Sequence, residues 1–245
     1  FVPTMGGLHK GHISLIKKSK KSQFKTLVSI FVNPKQFNKK SDFKSYPRST
    51  KTDLKKLKKL RINYLYIPTF KDMYGFKPKE KVFLDKLSKK LCGKFRRGHF
   101  EGVLNVINRF LEIIKPKYIF LGKKDYQQLY LIKKHIEKSK IKSKIIKCKT
   151  IREINGVALS TRNSNLDEKQ MKIASNIYYY LNNLKKKIKK NYNLFNLNKI
   201  KKDLKDLGVS KIDYLENYNT KNFKKIKRQS KKFNIFIAYY IKNVR

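Results

Sequence analysis

The sequence lacks the features that are typical of disulfide-rich, cysteine-ligated metal and membrane proteins. It has no tryptophan, only two cysteines (Cys92 and Cys148), and 16 acidic residues against 63 basic ones. Because neither cysteine has metal-ligating residues nearby, we predict isolated thiols rather than a disulfide or a metal site. No apolar run reaches the ~18 residues of a membrane-spanning helix, and no signal-peptide pattern is present, so we predict a cytoplasmic location and no membrane partner.

The excess of positive charge is the most unusual property of the composition. A formal net charge of +47 at pH 7 is typical of proteins that bind nucleic acids. Only nine of the 63 basic residues are arginine, however, and arginine is the residue generally used for bidentate contacts to bases and phosphates. The lysines are scattered over nearly every predicted helix. We interpret them as solvated helix faces and expect only weak, salt-sensitive adhesion to polyanions, without a specific nucleic-acid partner.

Hydrophobic periodicity divides the 245 residues near residue 150. Before that point, short apolar runs such as 26–31 and 118–121 alternate with helical patterns, which is typical of right-handed βαβ units and a parallel sheet. After it, a long helical pattern from 167 to about 190 precedes two further strand-like runs. We therefore predict an α/β protein with a doubly wound parallel sheet domain over 1–150. A smaller α+β domain over 151–245 is predicted to cap the ligand crevice as a lid.

Both ends of the chain are predicted to be truncated. Phe1 lies inside the first strand-like run and is not preceded by an initiator methionine, and Arg245 stands just after the apolar run 233–241. We expect the missing first residues to remove part of a central strand, which would lower the stability of the first domain.

The segment from Met5 to His12 carries the strongest functional signal. An apolar strand end runs into Gly6 and Gly7, and two histidines three residues apart stand where an amphipathic run begins. Glycines at such a junction let backbone N–H groups approach a polyphosphate, and the helix N-terminus adds about half a positive charge. Histidines at this spacing share one face of the first helical turn, so both can face one ligand. Taken alone, the glycines could equally form an ordinary turn and a histidine an ordinary helix cap.

Four further stretches have functional character. Residues 28–37 place an amide pair at a strand end, and 122–129 bring a cation, a carboxylate and amides onto one loop-to-helix turn. The other two are Tyr46-Pro47-Arg48 with Asp53, and residues 152–163. Because ligands bind beyond the carboxyl ends of parallel strands, the stretches that follow strands should converge on one crevice.

In this order, the five motifs resemble the pantoate–β-alanine ligase (pantothenate synthetase) family of the H-x-G-H adenylyl-transferring superfamily, over nearly the whole chain. The resemblance implies a Rossmann-like first domain and a reaction in two steps. Pantoate attacks the α-phosphorus of ATP to give pantoyl adenylate and pyrophosphate, and β-alanine then attacks the acyl carbon and releases AMP. The resemblance also implies ATP as co-substrate, Mg²⁺ as cofactor, and a homodimer that pairs through the larger domain.

The resemblance also implies roles for individual residues, which suit in-line displacement at phosphorus because that chemistry needs positioning and charge neutralisation. The implied catalytic residues are His12 as proton donor, with His9, Lys124 and Arg162. The implied ligands of pantoate and β-alanine are Gln36, Gln128, Asn33 and Tyr46. The implied ATP-binding residues are Met5, Gly6, Gly7, Leu8, His9, Lys10, Gly11, His12, Gly122, Lys123, Lys124, Asp125, Ile151, Leu159, Ser160, Thr161 and Arg162.

The metal site is the weakest part of the resemblance. Asp53 matches an acidic position tied to the metal in some members, but a carboxylate in the first turn of a helix that starts near Thr50 explains it equally well. Thr52 and Lys56 stand where the family has an acid and a polar residue, which weakens a protein-borne metal site. Lys123 replaces a usual Glu and adds positive charge to the same loop as Lys124.

Several alternatives stay open at this point. Asn33 could only shape its loop and Tyr46 could only pack, and we expect His99 to order a loop. The chain could be another adenylyltransferase that keeps only the phosphate machinery, and Gln36 with Gln128 argues against this because such an enzyme needs no acid pocket. A nucleic-acid-binding protein and an inactive relative of the family are the other two alternatives.

Overall fold

The computed structural model of the chain describes residues 1–226, 230 and 232–245. The strands are β1 (Val2–Thr4), β2 (Leu27–Ile30), β3 (Tyr64–Tyr66), β4 (Tyr118–Gly122), β5 (Lys144–Cys148), β6 (Lys211–Asn219) and β7 (Phe233–Tyr240). The helices are α1 (Lys10–Lys20), α2 (Lys40–Lys44), α3 (Thr50–Lys59), α4 (Phe70–Tyr74), α5 (Cys92–Phe95), α6 (His99–Ile114), α7 (Tyr126–Lys138), α8 (Glu168–Lys190) and α9 (Leu197–Asp206). Within the described part of the chain, no helix combines the length and the apolar character needed to cross a membrane.

A parallel sheet with the strand order β3-β2-β1-β4-β5 forms the centre of the first half. β1 pairs with β2, β2 with β3, and β4 with β5, each in parallel. Two hydrogen bonds join β1 to β4: the Phe1 nitrogen donates to Tyr118 O at 2.8 Å, and the Phe120 N–H donates to Phe1 O at 2.9 Å. The predicted α/β fold with a parallel sheet is therefore confirmed. The strand order reverses between β1 and β4, which is the point where sheets of this type bind ligands.

Helices cover both faces of this sheet because successive strand residues point to opposite sides. Ile119 and Leu121 of β4 belong to an apolar cluster that includes buried residues of α6 and α7. Phe120, which lies between them, belongs to a second cluster with Ile16 of α1 and Leu57 of α3. Helix α6 is buried over most of its length, so it forms part of the core rather than an amphipathic surface helix.

The chain divides into two compact units, one comprising 1–151 with 159–161 and the other comprising 152–158 with 162–245. In the second unit, β6 and β7 form an antiparallel pair with an irregularity in register between Ile212 and Tyr214. Helices α8 and α9 contribute Ile177 and Leu204 to the apolar cluster of this unit.

Candidate active site

A cavity of about 230 Å³ lies in the first unit, at the carboxyl ends of β1 and β4. Its position matches the reversal of strand order, so the sheet topology explains why residues distant in sequence meet there. The predicted site residues that line it are Met5, His9, Gly11, His12, Gln36, Tyr46, Gly122, Lys124, Asp125, Gln128, Ile151 and Leu159.

The other predicted site residues lie outside this lining. Lys10 begins α1, and Lys123 is an exposed residue of the 3₁₀ turn Lys123–Asp125. Ser160 and Thr161 belong to the first unit and Arg162 to the second. The remaining members of this set are Gly6, Gly7, Leu8, Asn33 and Asp53.

The two histidines form a reciprocal pair at the start of α1. The Gly11 N–H donates to Nδ1 of His9 at 3.1 Å, and the His9 N–H donates to Nδ1 of His12 at 3.4 Å. The ring centroids are 4.1 Å apart. Because Nδ1 accepts a hydrogen bond in each ring, each ring carries a proton on Nε2, the far nitrogen. Helix capping and presentation of two N–H donors are thus combined in the same side chains.

Burial is the main reason why the pKa of His12 is lowered from 6.5 to about 3, and the charges of His9, Lys124 and Lys56 act in the same direction while Asp125 opposes them. His12 is consequently neutral near pH 7. A neutral imidazole donates a hydrogen bond through Nε2–H, but it is not a ready source of a transferable proton. The electrostatics therefore favour hydrogen bonding by His12 over the proton transfer that the family resemblance implies.

The glycine turn before α1 is held by side chains rather than left open to an anion. The Gly7 N–H donates to Oδ2 of Asp53 at 2.7 Å, and the Leu8 N–H donates to Oδ1 at 2.8 Å. The Gly6 N–H donates to Thr4 Oγ1 at 3.2 Å. In this structure Thr4 and Asp53 accept the N–H groups of Gly6 and Gly7, and the role of the two glycines at a polyphosphate stays a prediction.

Gly7 also permits a close approach by Thr161. A Cβ atom on Gly7 would lie 2.4 Å from Cγ2 of Thr161, and Gly7 has a φ of +60° that disfavours other residues. The Thr161 hydroxyl donates to Gly7 O at 3.3 Å. In the structure, Thr161 thus packs on the glycine turn, and its role at a phosphate stays a prediction.

Gln36 lines the cavity from a rigidly held turn. Its Nε2 contacts Sδ of Met5 at 2.6 Å, and its backbone oxygen accepts a hydrogen bond from His99 Nδ1 at 2.7 Å. A Cβ atom on Gly102 of α6 would lie 2.2 Å from Lys35 O, so the helix backbone packs directly against the turn. The expectation that His99 orders a loop is confirmed.

Asn33 stabilises this turn and is only 1% exposed to solvent. Its Oδ1 accepts from the Lys35 N–H at 3.2 Å and from the Tyr74 hydroxyl at 2.9 Å, and its Nδ2 donates to Gly102 O at 3.1 Å. These bonds favour the loop-shaping interpretation of Asn33 over substrate binding. Tyr46, in contrast, lines the cavity while its ring packs edge-on against Phe37 at 5.5 Å.

Two adjacent glutamines at the start of α7 have different surroundings. Gln128 lines the cavity. Gln127 is buried, and its Nε2 donates to Leu87 O and Lys90 O at 2.7 Å each while its Oε1 accepts from the Cys92 N–H at 3.1 Å. Gln127 therefore fixes the 87–92 segment, a role that the sequence pattern did not indicate.

The Lys and Asp side chains that line the cavity all follow strands of the sheet. Lys124 and Asp125 follow β4, and Lys149 follows β5. Lys149 was missed because β5, the strand that precedes it, was not recognised in the sequence. The lining also contains apolar side chains, among them Val103, Val106, Ile107 and Phe110 of α6. Such a site suits a ligand with an anionic part and an apolar or acyl part.

The described residues do not form a protein-borne metal site. Residues 1–226, 230 and 232–245 contain no group of three or more His, Cys, Asp or Glu side chains arranged to hold a metal ion. Asp53 is 1% exposed, and both of its carboxylate oxygens accept backbone hydrogen bonds. This donor set does not fit Mg²⁺, which prefers several oxygen ligands and retained waters.

Known proteins of one family are similar to this chain over most of its length. Residues 1–245 match the family described as pantoate-beta-alanine ligase. The chain is similar to pantothenate synthetase of Flavobacterium psychrophilum, with 44% identity over 188 residues, covering 76% of this chain and 67% of the relative. It is also similar to that of Francisella tularensis subsp. mediasiatica, with 39% identity over 251 residues, covering 100% of this chain and 86% of the relative.

Solved structures show the same fold. The pantoate-beta-alanine ligase of Francisella tularensis, complexed with beta-gamma ATP and beta-alanine, has a TM-score of 0.81 and 38% identity, covering 100% of this chain and 85% of that one. Pantothenate synthetase of Thermus thermophilus has a TM-score of 0.90 and 27% identity, covering 99% and 88%. From the family match over its whole length and these identities, the chain belongs to the pantoate-beta-alanine ligase family.

Proposed function

We propose that this protein condenses pantoate with β-alanine at the expense of ATP, forming pantothenate, AMP and pyrophosphate through pantoyl adenylate. Family membership supports the reaction, as does the Francisella relative complexed with beta-gamma ATP and beta-alanine. The observation that carries the proposal is the single cavity that gathers His9, His12 and Lys124 with Gln36 and Gln128.

In the first step, a carboxylate oxygen of pantoate forms a bond to the α-phosphorus of ATP, and the bond from that phosphorus to pyrophosphate breaks. Charge builds up on the phosphate oxygens, so donors fixed in advance lower the barrier. The Nε2–H groups of His9 and His12 and the ammonium of Lys124 are among the donors that line this cavity. We assign Ser160, Thr161 and Arg162 to the β- and γ-phosphates on the family resemblance.

The amide side chains suit the acid substrate. Gln36 and Gln128 can each donate to a carboxylate and accept from a hydroxyl, which is the combination that pantoate presents. In the second step, the β-alanine nitrogen bonds to the acyl carbon, the bond from that carbon to the AMP oxygen breaks, and the nitrogen releases a proton to solvent. Tyr46 also lines this cavity.

Further properties complete the proposal. Because the protein-borne donor set does not fit Mg²⁺, we propose that the ion enters bound to the phosphates of ATP and keeps most of its waters. A homodimer that pairs through the first unit is proposed on the family resemblance, and sedimentation equilibrium tests it. A cytoplasmic location is proposed because the reaction draws on ATP.

Two assays test the function. Release of AMP should require pantoate, β-alanine and ATP together, and pantoate alone should support exchange of labelled pyrophosphate into ATP because the adenylate forms first. Lys124→Gln should reduce the exchange strongly, whereas Lys138→Gln, at an exposed lysine outside the cavity lining, serves as the matched control. Consumption of ATP with another carboxylic acid, but not with pantoate, would refute the assignment.

A further inference from the structure

Two side chains of helix α3, spaced three residues apart, contact the turn that precedes α1. Asp53 accepts hydrogen bonds from the N–H groups of Gly7 and Leu8 at 2.7 and 2.8 Å. Lys56 Nζ donates to Leu8 O at 2.5 Å. Residues three apart share one face of a helix, so both side chains reach the same dipeptide. We refer to Asp53, Lys56 and the Gly7-Leu8 backbone as the loop clamp.

The loop clamp binds Leu8 at both of its backbone polar groups. The carboxylate takes the N–H and the ammonium takes the C=O, so a rotation of either peptide plane breaks at least one charge-assisted hydrogen bond. Oδ2 of Asp53 also approaches Gly6, where an added Cβ would lie 3.1 Å away. Leu8 itself is 1% exposed, so its side chain is fixed in the core while its backbone is held by α3.

His9 follows Leu8 directly and is the N-cap of α1. The backbone orientation of Leu8 therefore sets the direction in which His9 leaves the turn, and the His9 N–H in turn donates to Nδ1 of His12. A misplacement of about 1 Å at a reacting group can reduce a rate about a hundredfold. A contact with the residue before the donors can consequently control catalysis without touching a substrate.

We propose that Asp53 and Lys56 are positioning residues, which hold the Gly7-Leu8 backbone so that His9 and His12 present their Nε2–H groups to the phosphate of the first step. The expected effect on catalysis rests on the proposed function, whereas the expected effect on the orientation of the two histidine rings does not. It replaces a metal-binding interpretation of Asp53, since both carboxylate oxygens already serve the loop and a lysine supplies the neighbouring positive charge.

The first test compares Asp53→Asn and Lys56→Met with Lys55→Met, an exposed lysine of the same helix. Asparagine offers one acceptor where two N–H groups need one each, and methionine keeps the stem of Lys56 without the donor. We expect both clamp variants to lower kcat about 10- to 100-fold while KM for β-alanine stays unchanged. Lys56→Arg should restore most of kcat because it keeps a cationic donor. Wild-type rates in the control and loss of kcat in the clamp variants support the proposal, and wild-type rates in all of them overturn it.

A second test separates positioning from metal binding. If Asp53 held Mg²⁺, Asp53→Asn would need a higher Mg²⁺ concentration for half-maximal rate and would recover in excess Mg²⁺. The loop clamp instead predicts an unchanged Mg²⁺ dependence and no recovery. In a His12→Ala background, Asp53→Asn should cause little further loss, because a residue that acts through His12 has nothing left to position. Recovery in Mg²⁺, or full multiplication of the two defects, refutes the proposal.

A third test does not depend on the reaction. Ring-nitrogen NMR of isotope-labelled histidine should show the Nε2–H tautomer for His9 and His12 in the wild type and a changed tautomer balance in Lys56→Met. This variant also covers the case in which Asp53→Asn fails to fold. Unchanged spectra overturn the positioning role. An inactive wild type with the expected spectra would refute the proposed function while leaving the loop clamp intact.

Discussion

Acidification should destabilise the protein through His12. The pKa of this ring is lowered from 6.5 to about 3, first by burial and then by the charges of His9, Lys124 and Lys56, against the opposing charge of Asp125. Between these two values the unfolded chain binds a proton at His12 and the folded chain does not. Stability contributed by the neutral ring is therefore fully present above pH 6.5 and is lost as the pH falls towards about 3.

The size of this effect follows from the two pKa values. At about pH 5 the unfolded ring is almost fully protonated and the folded ring is almost fully neutral, so the linkage relation gives a loss of up to about 2 kcal/mol. His12 keeps some contact with solvent, and screening reduces the expected loss to about 1 to 2 kcal/mol. This is a sizeable part of the free energy of unfolding of a typical domain.

Urea unfolding of the wild type and of His12→Gln at about pH 7.5 and pH 5 measures the effect, because unrelated groups cancel in the comparison. Glutamine keeps an acceptor for the His9 N–H but has no ionisable ring. The wild type should lose about 1 to 2 kcal/mol more than the variant on acidification. An equal loss in both proteins, or an NMR titration of His12 near its ordinary pKa, would refute the reasoning.

Three other predictions concern one residue that lines the cavity and two that support neighbouring segments. Gly102→Ala places a Cβ 2.2 Å from Lys35 O, so KM for pantoate should rise about tenfold as the Gln36 turn shifts; an unchanged KM in steady-state kinetics would contradict this. Gln127→Leu removes three buried hydrogen bonds to the backbone of residues 87–92, and urea unfolding should show a loss of about 2 kcal/mol or more, which a Gln128→Leu control should not show. Lys149→Gln should raise KM for ATP about three- to fivefold with little change in KM for β-alanine, and an equal rise in both would count against a phosphate contact.

Most of the fold could be predicted because apolar periodicity and helix ends are local properties. Apolar residues recur at helical spacing over 100–114, and α6 extends from His99 to Ile114 and ends where Lys115 adopts a φ of +47° just before Pro116. Strand β5 was not predicted. Its sequence Lys144-Ile145-Ile146-Lys147-Cys148 places lysines at an edge of the sheet, and such a mixed pattern resembles a solvated loop.

The candidate site was predictable in outline because motif order and strand ends place its parts on one edge of the sheet. Individual hydrogen-bond partners were not, since they depend on packing between segments far apart in sequence. Asp53 is an example, because its carboxylate accepts hydrogen bonds from Gly7 and Leu8, which lie 46 and 45 positions earlier in the chain. A local sequence pattern does not indicate contacts between residues so far apart. The different surroundings of Gln127 and Gln128 likewise follow from where the 87–92 segment lies.

The apolar face that α6 turns towards the cavity has a chemical consequence for the proposed intermediate. An acyl phosphate anhydride is readily destroyed by water, and each hydrolysis would waste one ATP. Val103, Val106, Ile107 and Phe110 line the cavity and offer no polar side-chain atom to which a water molecule could bind. In the proposed reaction, this face of α6 would offer water no binding partner beside the acyl group, which favours attack by the amine over hydrolysis.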